Sequence, residues 1–327
     1  MSELEKVILK KKRINDYTPL IGQEKIVHLK ELAKPIQGLR ILHVNATAYG
    51  GGVAELLNSA IPLLNSLGLN AEWGLLCKEE PFFEVTKNLH NALQGKDYTL
   101  TPKAREVYLK RNMLCSNMVG NDYDIVIIHD PQPAALRHFH GRGKAKWIWR
   151  CHIDTSRPNR GIWNFIKPFV EEYDATVFTM KQFVPPDLNT PLLSTIPPAI
   201  DPFTSKNIGV DIEVCKTIVA EFGIDLNRPL LLQVSRFDPW KDPLGVLEVY
   251  RRVKETIPGL QLAYIGSMAD DDPEGWEVYH RVKEQAKGDP DIFLYTNLLG
   301  VHAFEVNCFQ RVADVVIQKS IREGLDW

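Results

Sequence analysis

The sequence has no excess of basic charge and no long apolar stretch. Its 327 residues include 39 lysines and arginines against 41 aspartates and glutamates, which excludes nucleic-acid binding driven by net charge. No run approaches the roughly 18–20 apolar residues that a membrane-spanning helix needs, so we expect no membrane segment. Residues 1–17 lack the apolar core and the cleavage site of a signal peptide, so we expect a protein that is not secreted.

The five cysteines follow no recognisable spacing. An odd number of scattered thiols matches neither a disulfide framework nor a zinc site. We therefore expect reduced cysteines and a cytoplasmic location. The five are Cys77, Cys115, Cys151, Cys215 and Cys308.

What the sequence does contain is a sustained alternation of apolar strands and helical segments. Continuous apolar runs joined by helices predict buried parallel sheets with helices on both faces. The predicted strands before a proline-rich segment at 197–207 cover 40–45, 71–77, 124–130, 146–152, 175–179 and 192–197. Those after it cover 229–237, 260–267, 292–297 and 314–320, with helices at 242–256, 273–288 and 303–312.

This pattern predicts an α/β protein made of two Rossmann-like, doubly wound parallel sheets. We expect the first domain at 1–205, with an N-terminal extension, and the second at 206–327. Three tryptophans, Trp147, Trp149 and Trp163, are expected to pack in the first core. Because ligands of open α/β sheets bind beyond the carboxyl ends of the strands, the loops that follow the strands are where we expect a site.

The first such loop carries three consecutive glycines, Gly50 to Gly52, between a strand and a helix. Glycines let the backbone approach a ligand, and the N–H groups that open a helix attract anions. The alternative is a tight turn without a ligand. The spacing is not the dinucleotide fingerprint, because Glu55 stands where that pattern needs its third glycine.

Two further loops carry charges at strand ends. Arg236 and Lys241 bracket the loop after the strand at 229–237, and two fixed cations there suit a diphosphate. Glu323 follows the last predicted strand, where a carboxylate can accept hydrogen bonds from sugar hydroxyls. The alternatives are an ordinary solvated loop in the first case and an exposed polar strand end in the second.

Taken together, six motifs follow the order seen in retaining glycosyltransferases of the two-Rossmann-domain, or GT-B, type. The sequence resembles in particular the trehalose glycosyltransferring synthases of thermophilic archaea and bacteria, which are near relatives of trehalose phosphorylase. The resemblance runs over nearly the whole chain, up to about Glu323. The motifs are the triple-glycine loop, His129–Pro133, Trp149–Asp154, Pro198–Pro202, Arg236–Lys241 and Arg322–Gly324.

The resemblance implies a hexosyltransferase that uses UDP-glucose or ADP-glucose as donor and free glucose as acceptor. The donor would bind in the cleft between the domains, and the product would be trehalose, formed reversibly with retention at the transferred anomeric carbon. It implies no cofactor and no metal, because cationic side chains take the place of a metal ion. The implied partners are sugars and nucleotide sugars.

The resemblance also assigns roles to residues. Arg236 and Lys241 would hold the diphosphate and stabilise the leaving group, and His152 would lie near the reacting sugar. Glu323 would contact the donor hexose, which completes a catalytic set of His152, Arg236, Lys241 and Glu323. The donor would also meet Gly51, Gly52, Asn297, Gly300 and Val301. The acceptor would meet Asp130, Gln132, His152 and Asp154.

None of these side chains is a convincing nucleophile, so the family favours a front-face substitution over a double displacement. Three alternatives stay open. The first is a trehalose phosphorylase that uses glucose 1-phosphate, which shares nearly all of these motifs. The second is a sugar- or nucleotide-binding protein without turnover. The third, a nicotinamide-dependent oxidoreductase, is disfavoured by the missing fingerprint.

The sequence departs from the family pattern after Gly324, so we expect the second domain to be incomplete. On that basis we expect weak or absent transfer activity, with binding of glucose or donor retained. The strand at 314–320 is expected near an open sheet edge, which favours association with another chain, such as a homodimer.

Overall fold

The computed structural model describes residues 3–48, 51–76, 79–268 and 273–322. These residues fold into two compact units, the first running to Ala199 and the second beginning at Ile200. The division lies inside the proline-rich segment at 197–207, as does the predicted boundary between residues 205 and 206. No described helix is both long enough and apolar enough to cross a membrane.

Among the described residues, the first unit forms a seven-stranded sheet in the order β1-β3-β2-β4-β5-β6-β7. The strands are β1 Glu5–Lys6, β2 Arg40–Asn45, β3 Asn70–Leu75, β4 Ile125–His129, β5 Lys146–Cys151, β6 Ala175–Phe178 and β7 Leu193–Thr195. β2 to β7 confirm the six predicted strands and pair in parallel. The expectation of a purely parallel sheet is wrong at one edge, because β1 pairs antiparallel with β3. Its two charged residues carry no apolar signal.

The helices of the first unit are α1 Thr18–Ala33, α2 Gly52–Ser66, α3 Glu80–Leu93, α4 Pro102–Ser116, α5 Leu136–His140 and α6 Arg160–Val170. Side-chain caps begin two of them. The hydroxyl of Thr101 accepts from the N–H of Ala104 at the start of α4. The amide oxygen of Asn159 accepts from the N–H of Ile162 at the start of α6. Each cap satisfies a backbone N–H that the helix itself leaves without a partner.

The core of the first unit lies on both faces of its sheet. Trp147, Trp149 and Trp163 are fully buried in one cluster, which confirms the prediction that they pack in the core. The opposite face packs against α2, which inserts Leu57 and Ile61 beside the strands. Helices on both faces make this a doubly wound sheet.

The second unit forms a parallel four-stranded sheet in the order β10-β9-β8-β11, counted over the described residues. The strands are β8 Leu230–Val234, β9 Gln261–Gly266, β10 Ile292–Thr296 and β11 Val315–Val316. The helices are α7 Ile212–Glu221, α8 Pro243–Lys254, α9 Pro273–Ala286 and α10 Ala303–Val312. All four predicted strands and the three predicted helices are confirmed, although β11 is shorter than the segment at 314–320. The three aspartates that precede α9, residues 270–272, lie outside the described residues.

Candidate active site

Three histidines lie toward the carboxyl edge of the first sheet, on one face. The register pairs His43 of β2 with Ile127 of β4, and His129 of β4 with Arg150 of β5. Paired residues of parallel strands share a face, and every second residue along a strand returns to it. His43, His129 and His152 therefore point to the same side. His129 lies two residues beyond Ile127, the partner of His43, and His152 lies two residues beyond Arg150, the partner of His129. The three histidines therefore cross the strands diagonally.

The three imidazole rings contact one another in sequence, and we call them the histidine chain. Nδ1 of His43 lies 3.0 Å from Nε2 of His129, and Nδ1 of His129 lies 2.9 Å from Nε2 of His152. The ring centroids are 5.3 Å and 5.2 Å apart, with interplanar angles of 22° and 18°. Only 6%, 1% and 2% of the three residues is exposed, in chain order. The nitrogens thus bond to each other inside the protein.

Burial disfavours the charged form of every ring in the histidine chain. It lowers the pKa of His43 to about 4 and that of His152 to about 3, with a smaller contribution from the positive charge of Arg150. The pKa of His129 falls well below its ordinary value, first through burial and then through repulsion from His152, His43 and Arg150. At neutral pH each ring is therefore uncharged and carries a single N–H.

Asp130 fixes the position of His152 by a hydrogen bond between the ends of β4 and β5. Its Oδ1 accepts from the backbone N–H of His152 at 2.8 Å, and its carbonyl accepts from Nε1 of Trp149 at 2.9 Å. Its backbone is left-handed, with φ 65°, a conformation that Asp tolerates better than most residues and that is frequent at functional sites. Burial raises the pKa of Asp130 to about 7, against the effects of the His152 N–H and the charge of Arg150.

The other two residues predicted to bind an acceptor lie on segments next to this pair. The backbone carbonyl of Gln132 accepts from Nδ2 of Asn112 at 3.1 Å, and the Gln132 side chain is half-buried. Asp154 is half-buried as well, and its Oδ1 accepts from the backbone N–H of Ser156 at 2.8 Å. The structure therefore brings Asp130 and His152 into direct contact and places Gln132 and Asp154 on the loops that continue from them.

The glycine loop leads from β2 into α2, and its residues 49 and 50 lie outside the described part of the chain. Gly51 has φ 147° and ψ 163°, a backbone conformation essentially restricted to glycine. Its carbonyl accepts from the N–H of Glu55 at 3.2 Å, and the helix begins at Gly52. A Cβ added at Gly51 would meet nothing within 4 Å, so the backbone conformation rather than crowding requires glycine there.

In the second unit, the loop after β8 carries the predicted diphosphate ligands and is anchored by Phe237. This side chain is buried, and its ring centroid lies 5.1 Å from that of Tyr279. A Cβ at Gly266 would lie 2.6 Å from the Phe237 ring, so the glycine makes room for the anchor. With Phe237 held inside, Arg236 is exposed and forms an ion pair with Asp238 at 3.0 Å.

Lys241 lies at the other end of this loop, where α8 begins. Its carbonyl accepts from Nε2 of Gln233 at 2.8 Å, which fixes its backbone to β8. The next residue, Asp242, has a left-handed φ of 46°, and its Oδ1 accepts from the N–H of Gly245 at 3.0 Å to cap α8. Asp242 also forms an ion pair with Lys319. Arg236 and Lys241 thus share one braced loop at the carboxyl edge of β8.

Among the remaining predicted donor-binding residues, Asn297 uses its side chain to bond to the backbone of another loop. Its Oδ1 accepts from the N–H of Met268 at 2.7 Å and its Nδ2 donates to the Met268 carbonyl at 3.2 Å, so it joins the loops after β9 and β10. Gly300 is left-handed with φ 83°, and Val301 is buried in the core. Glu323 lies outside the described residues.

Sequence reasoning assigned no role to His43, His129 or Arg150, which the structure brings beside His152. The available signal was polar residues at alternate positions of strands that are otherwise apolar. The strands themselves were predicted, but the register between them was not. Only the register places the three rings next to one another.

The class of protein follows from comparison with solved structures. The solved structures that share the fold include trehalose-6-phosphate synthase OtsA and a protein described as trehalose-6-phosphate from E. coli bound with UDP-2-fluoro glucose. Each aligns with a TM-score of 0.65 at 16% sequence identity, covering 88% of this chain and 80% and 79% of the respective neighbour. The fold is that of the GT-B glycosyltransferases.

The family follows from sequence similarity. The pattern described as "Trehalose synthase, N-terminal domain" matches residues 43–185. A trehalose synthase from Rubrobacter xylanophilus is 52% identical over 318 residues, which cover 96% of this chain and 76% of the relative. The chain belongs to the trehalose synthase family, and it is a hexosyltransferase of trehalose metabolism.

Proposed function

We propose that the protein transfers glucose from UDP-glucose or ADP-glucose to free glucose, forming trehalose with retention at the transferred anomeric carbon. The observation that carries the proposal is the contact between Asp130 and His152 at the carboxyl edge of the first sheet. Ligands of doubly wound sheets bind at this edge. The solved neighbour described with UDP-2-fluoro glucose supports a nucleotide sugar as donor.

The site in the first unit suits a neutral polyol. His152 is uncharged at neutral pH and offers a hydrogen bond without adding a net charge. Asp130, Gln132 and Asp154 supply the carboxyl and amide groups that bind sugar hydroxyls well. In this proposal they hold the acceptor glucose, while His152 lies at the reacting sugar.

The loop in the second unit suits the donor's diphosphate. Arg236 and Lys241 bring two positive charges to one braced loop, and Arg236 can bind two phosphate oxygens at once. Negative charge builds up on the departing diphosphate, so fixed cations lower the barrier more than they tighten binding of the intact donor. In the proposal Gly51, Gly52 and Glu323 also contact the donor, Gly300 and Val301 lie near the base, and no metal takes part.

The proposed step is a front-face substitution. The anomeric hydroxyl oxygen of the acceptor glucose bonds to the anomeric carbon of the donor glucose, on the face that the diphosphate leaves. The bond from that carbon to the phosphate oxygen breaks, and its electron pair stays with the diphosphate. The same phosphate oxygen takes the acceptor's proton, so the products are trehalose and the nucleoside diphosphate.

The proposal is tested by supplying the chain with glucose and, in separate reactions, UDP-glucose, ADP-glucose or glucose 1-phosphate. We expect a nucleotide sugar to bind, as measured by calorimetry, and trehalose to form slowly, together with an equal amount of nucleoside diphosphate. Trehalose formed only from glucose 1-phosphate, with release of inorganic phosphate, would replace the proposal by a phosphorylase. If neither UDP-glucose nor ADP-glucose binds, the proposal is contradicted.

A further inference from the structure

The histidine chain allows only two arrangements of its protons. Each neutral ring has one N–H, and each of the two N···N contacts needs one donor and one acceptor. In the first arrangement all three rings carry the proton on Nδ1, and donation runs from His43 through His129 to His152. In the second all three carry it on Nε2, and donation runs in the opposite direction.

The buried end of the chain distinguishes the two arrangements. Nε2 of His43 is buried and has no hydrogen-bond partner among the residues that the structure describes. The first arrangement leaves a bare acceptor there, whereas the second leaves an N–H donor without an acceptor. Buried N–H groups without a partner are the rarer and costlier case, so the first arrangement is favoured.

The surroundings oppose the addition of a further proton. Arg150 lies beside His129 in the register, on the same face, and its positive charge lowers the pKa of all three histidines. Asp130 bonds to a residue of the histidine chain, but its one described side-chain bond is to the backbone N–H of His152 rather than to an imidazole ring. In the favoured arrangement, an added proton on His129 or His152 would also have to occupy the Nε2 that already accepts a hydrogen bond within the chain.

We propose that His43 and His129 are positioning residues that fix His152 as the Nδ1–H tautomer. Nε2 of His152 is occupied as the acceptor of the chain, and Nδ1 is left as a donor. His152 then acts toward its ligand as a hydrogen-bond donor and not as a base. The identification of that ligand as a sugar hydroxyl rests on the proposed function, whereas the tautomer does not.

Nuclear magnetic resonance of the chain labelled with nitrogen-15 in histidine tests this directly. Long-range correlations between ring carbons' protons and nitrogens distinguish the two tautomers of a neutral ring. We expect His43, His129 and His152 to be Nδ1–H forms at pH 7, with exposed His28 of α1 as the reference for a solvated ring. An Nε2–H form or a charged ring at His152 would overturn the inference, whatever the activity.

Two variants separate positioning from packing. His129→Phe keeps an aromatic ring between its neighbours but removes the donor to His152, and His129→Asn restores an N–H donor on a smaller side chain. We expect His152 to populate both tautomers in the first variant and to recover the Nδ1–H form, at least in part, in the second. An unchanged His152 spectrum in folded His129→Phe would overturn the proposal.

The same samples separate this inference from the proposed function. Nδ1–H forms in a chain that binds no nucleotide sugar would sustain the tautomer and contradict the function. With the function in place, His129→Phe is expected to lower turnover by about tenfold or more while the KM for donor changes less, because a misplaced proton affects the reacting state most. An unchanged turnover would overturn the positioning role.

Discussion

The backbone N–H of His152 donates to Oδ1 of Asp130 at 2.8 Å, which ties the end of β5 to the end of β4. The bond joins a residue in a left-handed conformation to the backbone of the residue that carries the last ring of the histidine chain. Two loops that are 22 residues apart in the sequence are thereby held in one arrangement. The geometry of the candidate acceptor site depends on this bond.

Replacement of Asp130 separates the hydrogen bond from the charge. Asp130→Asn keeps an oxygen for the His152 N–H and tolerates a left-handed φ, so we expect the free energy of unfolding at pH 4, where Asp130 is protonated in the fold, to stay within about 1 kcal/mol of wild type. Asp130→Ala loses both and is expected to cost about 1–3 kcal/mol. Urea unfolding followed by tryptophan fluorescence measures both values.

The difference in stability between Asp130→Asn and wild type is also expected to depend on pH. The folded pKa of Asp130, about 7, lies above that of an unfolded aspartate, so its contribution to stability is full below about pH 4 and is lost as the pH rises through 7. Asp130→Asn should therefore gain stability relative to wild type between pH 5 and pH 8. A constant difference across that range would contradict a buried, protonatable Asp130.

Acid is expected to destabilise the first unit through the histidine chain. The folded pKa of His43, about 4, lies below the roughly 6.5 of an unfolded histidine. Its contribution is thus full above about pH 6.5 and is lost as the pH falls toward 4. His43→Gln should reduce the slope of unfolding free energy against pH by about 1.4 kcal/mol per pH unit near pH 5, which is one proton. Equal slopes for variant and wild type would show that His43 is charged in the fold.

Removal of the Lys241 charge is expected to weaken binding of the donor and to leave binding of the acceptor unchanged. A charge-assisted hydrogen bond to phosphate contributes about 1.5–3 kcal/mol, so Lys241→Ala should bind the nucleoside diphosphate roughly 10- to 100-fold more weakly. Calorimetric titration measures this. The matched control is Lys287→Ala, which removes an exposed lysine paired with Glu284 just after α9. Equal losses in both variants would contradict a diphosphate site at Lys241.

Gly51 is expected to tolerate no side chain. Gly51→Ala places a Cβ on a backbone with φ 147°, which costs on the order of 1–3 kcal/mol or forces the loop into another conformation. Gly209→Ala is the matched control. A Cβ there also meets nothing within 4 Å, but the backbone of Gly209 does not have a positive φ. Thermal unfolding and donor titration should change in the first variant alone. Equal behaviour of the two variants would refute the role assigned to the Gly51 backbone.

The sequence predicted the strands well because parallel, buried strands are continuous apolar runs bounded by polar residues. β4 is such a run and β5 is one interrupted by Arg150, and their last residues lead directly to Asp130 and His152. β1 was missed because a two-residue edge strand of Glu5 and Lys6 has no apolar pattern to detect. The edge position comes from pairing with β3, which is a tertiary contact.

The candidate site was predictable as a set of strand-end residues, but its internal contacts were not. A single sequence carries the alternation of side chains along a strand and no information on how far neighbouring strands are shifted. The contact between His43 and His129 depends on that shift, since a slip of one residue would turn one ring to the other face. The hydrogen bond between the Asn297 side chain and the Met268 backbone is likewise a contact between loops, which the sequence alone does not show.

Retaining glucosyl transfer from a nucleotide sugar can be followed with carbon-13 at the anomeric carbon of the donor glucose. The chain is incubated with labelled UDP-glucose or ADP-glucose and unlabelled glucose, at a protein concentration near that of the donor so that slow turnover registers. We expect nuclear magnetic resonance to find the label in one half of trehalose, in the α configuration. Label in a β-linked disaccharide, or label released only as free glucose, would contradict it.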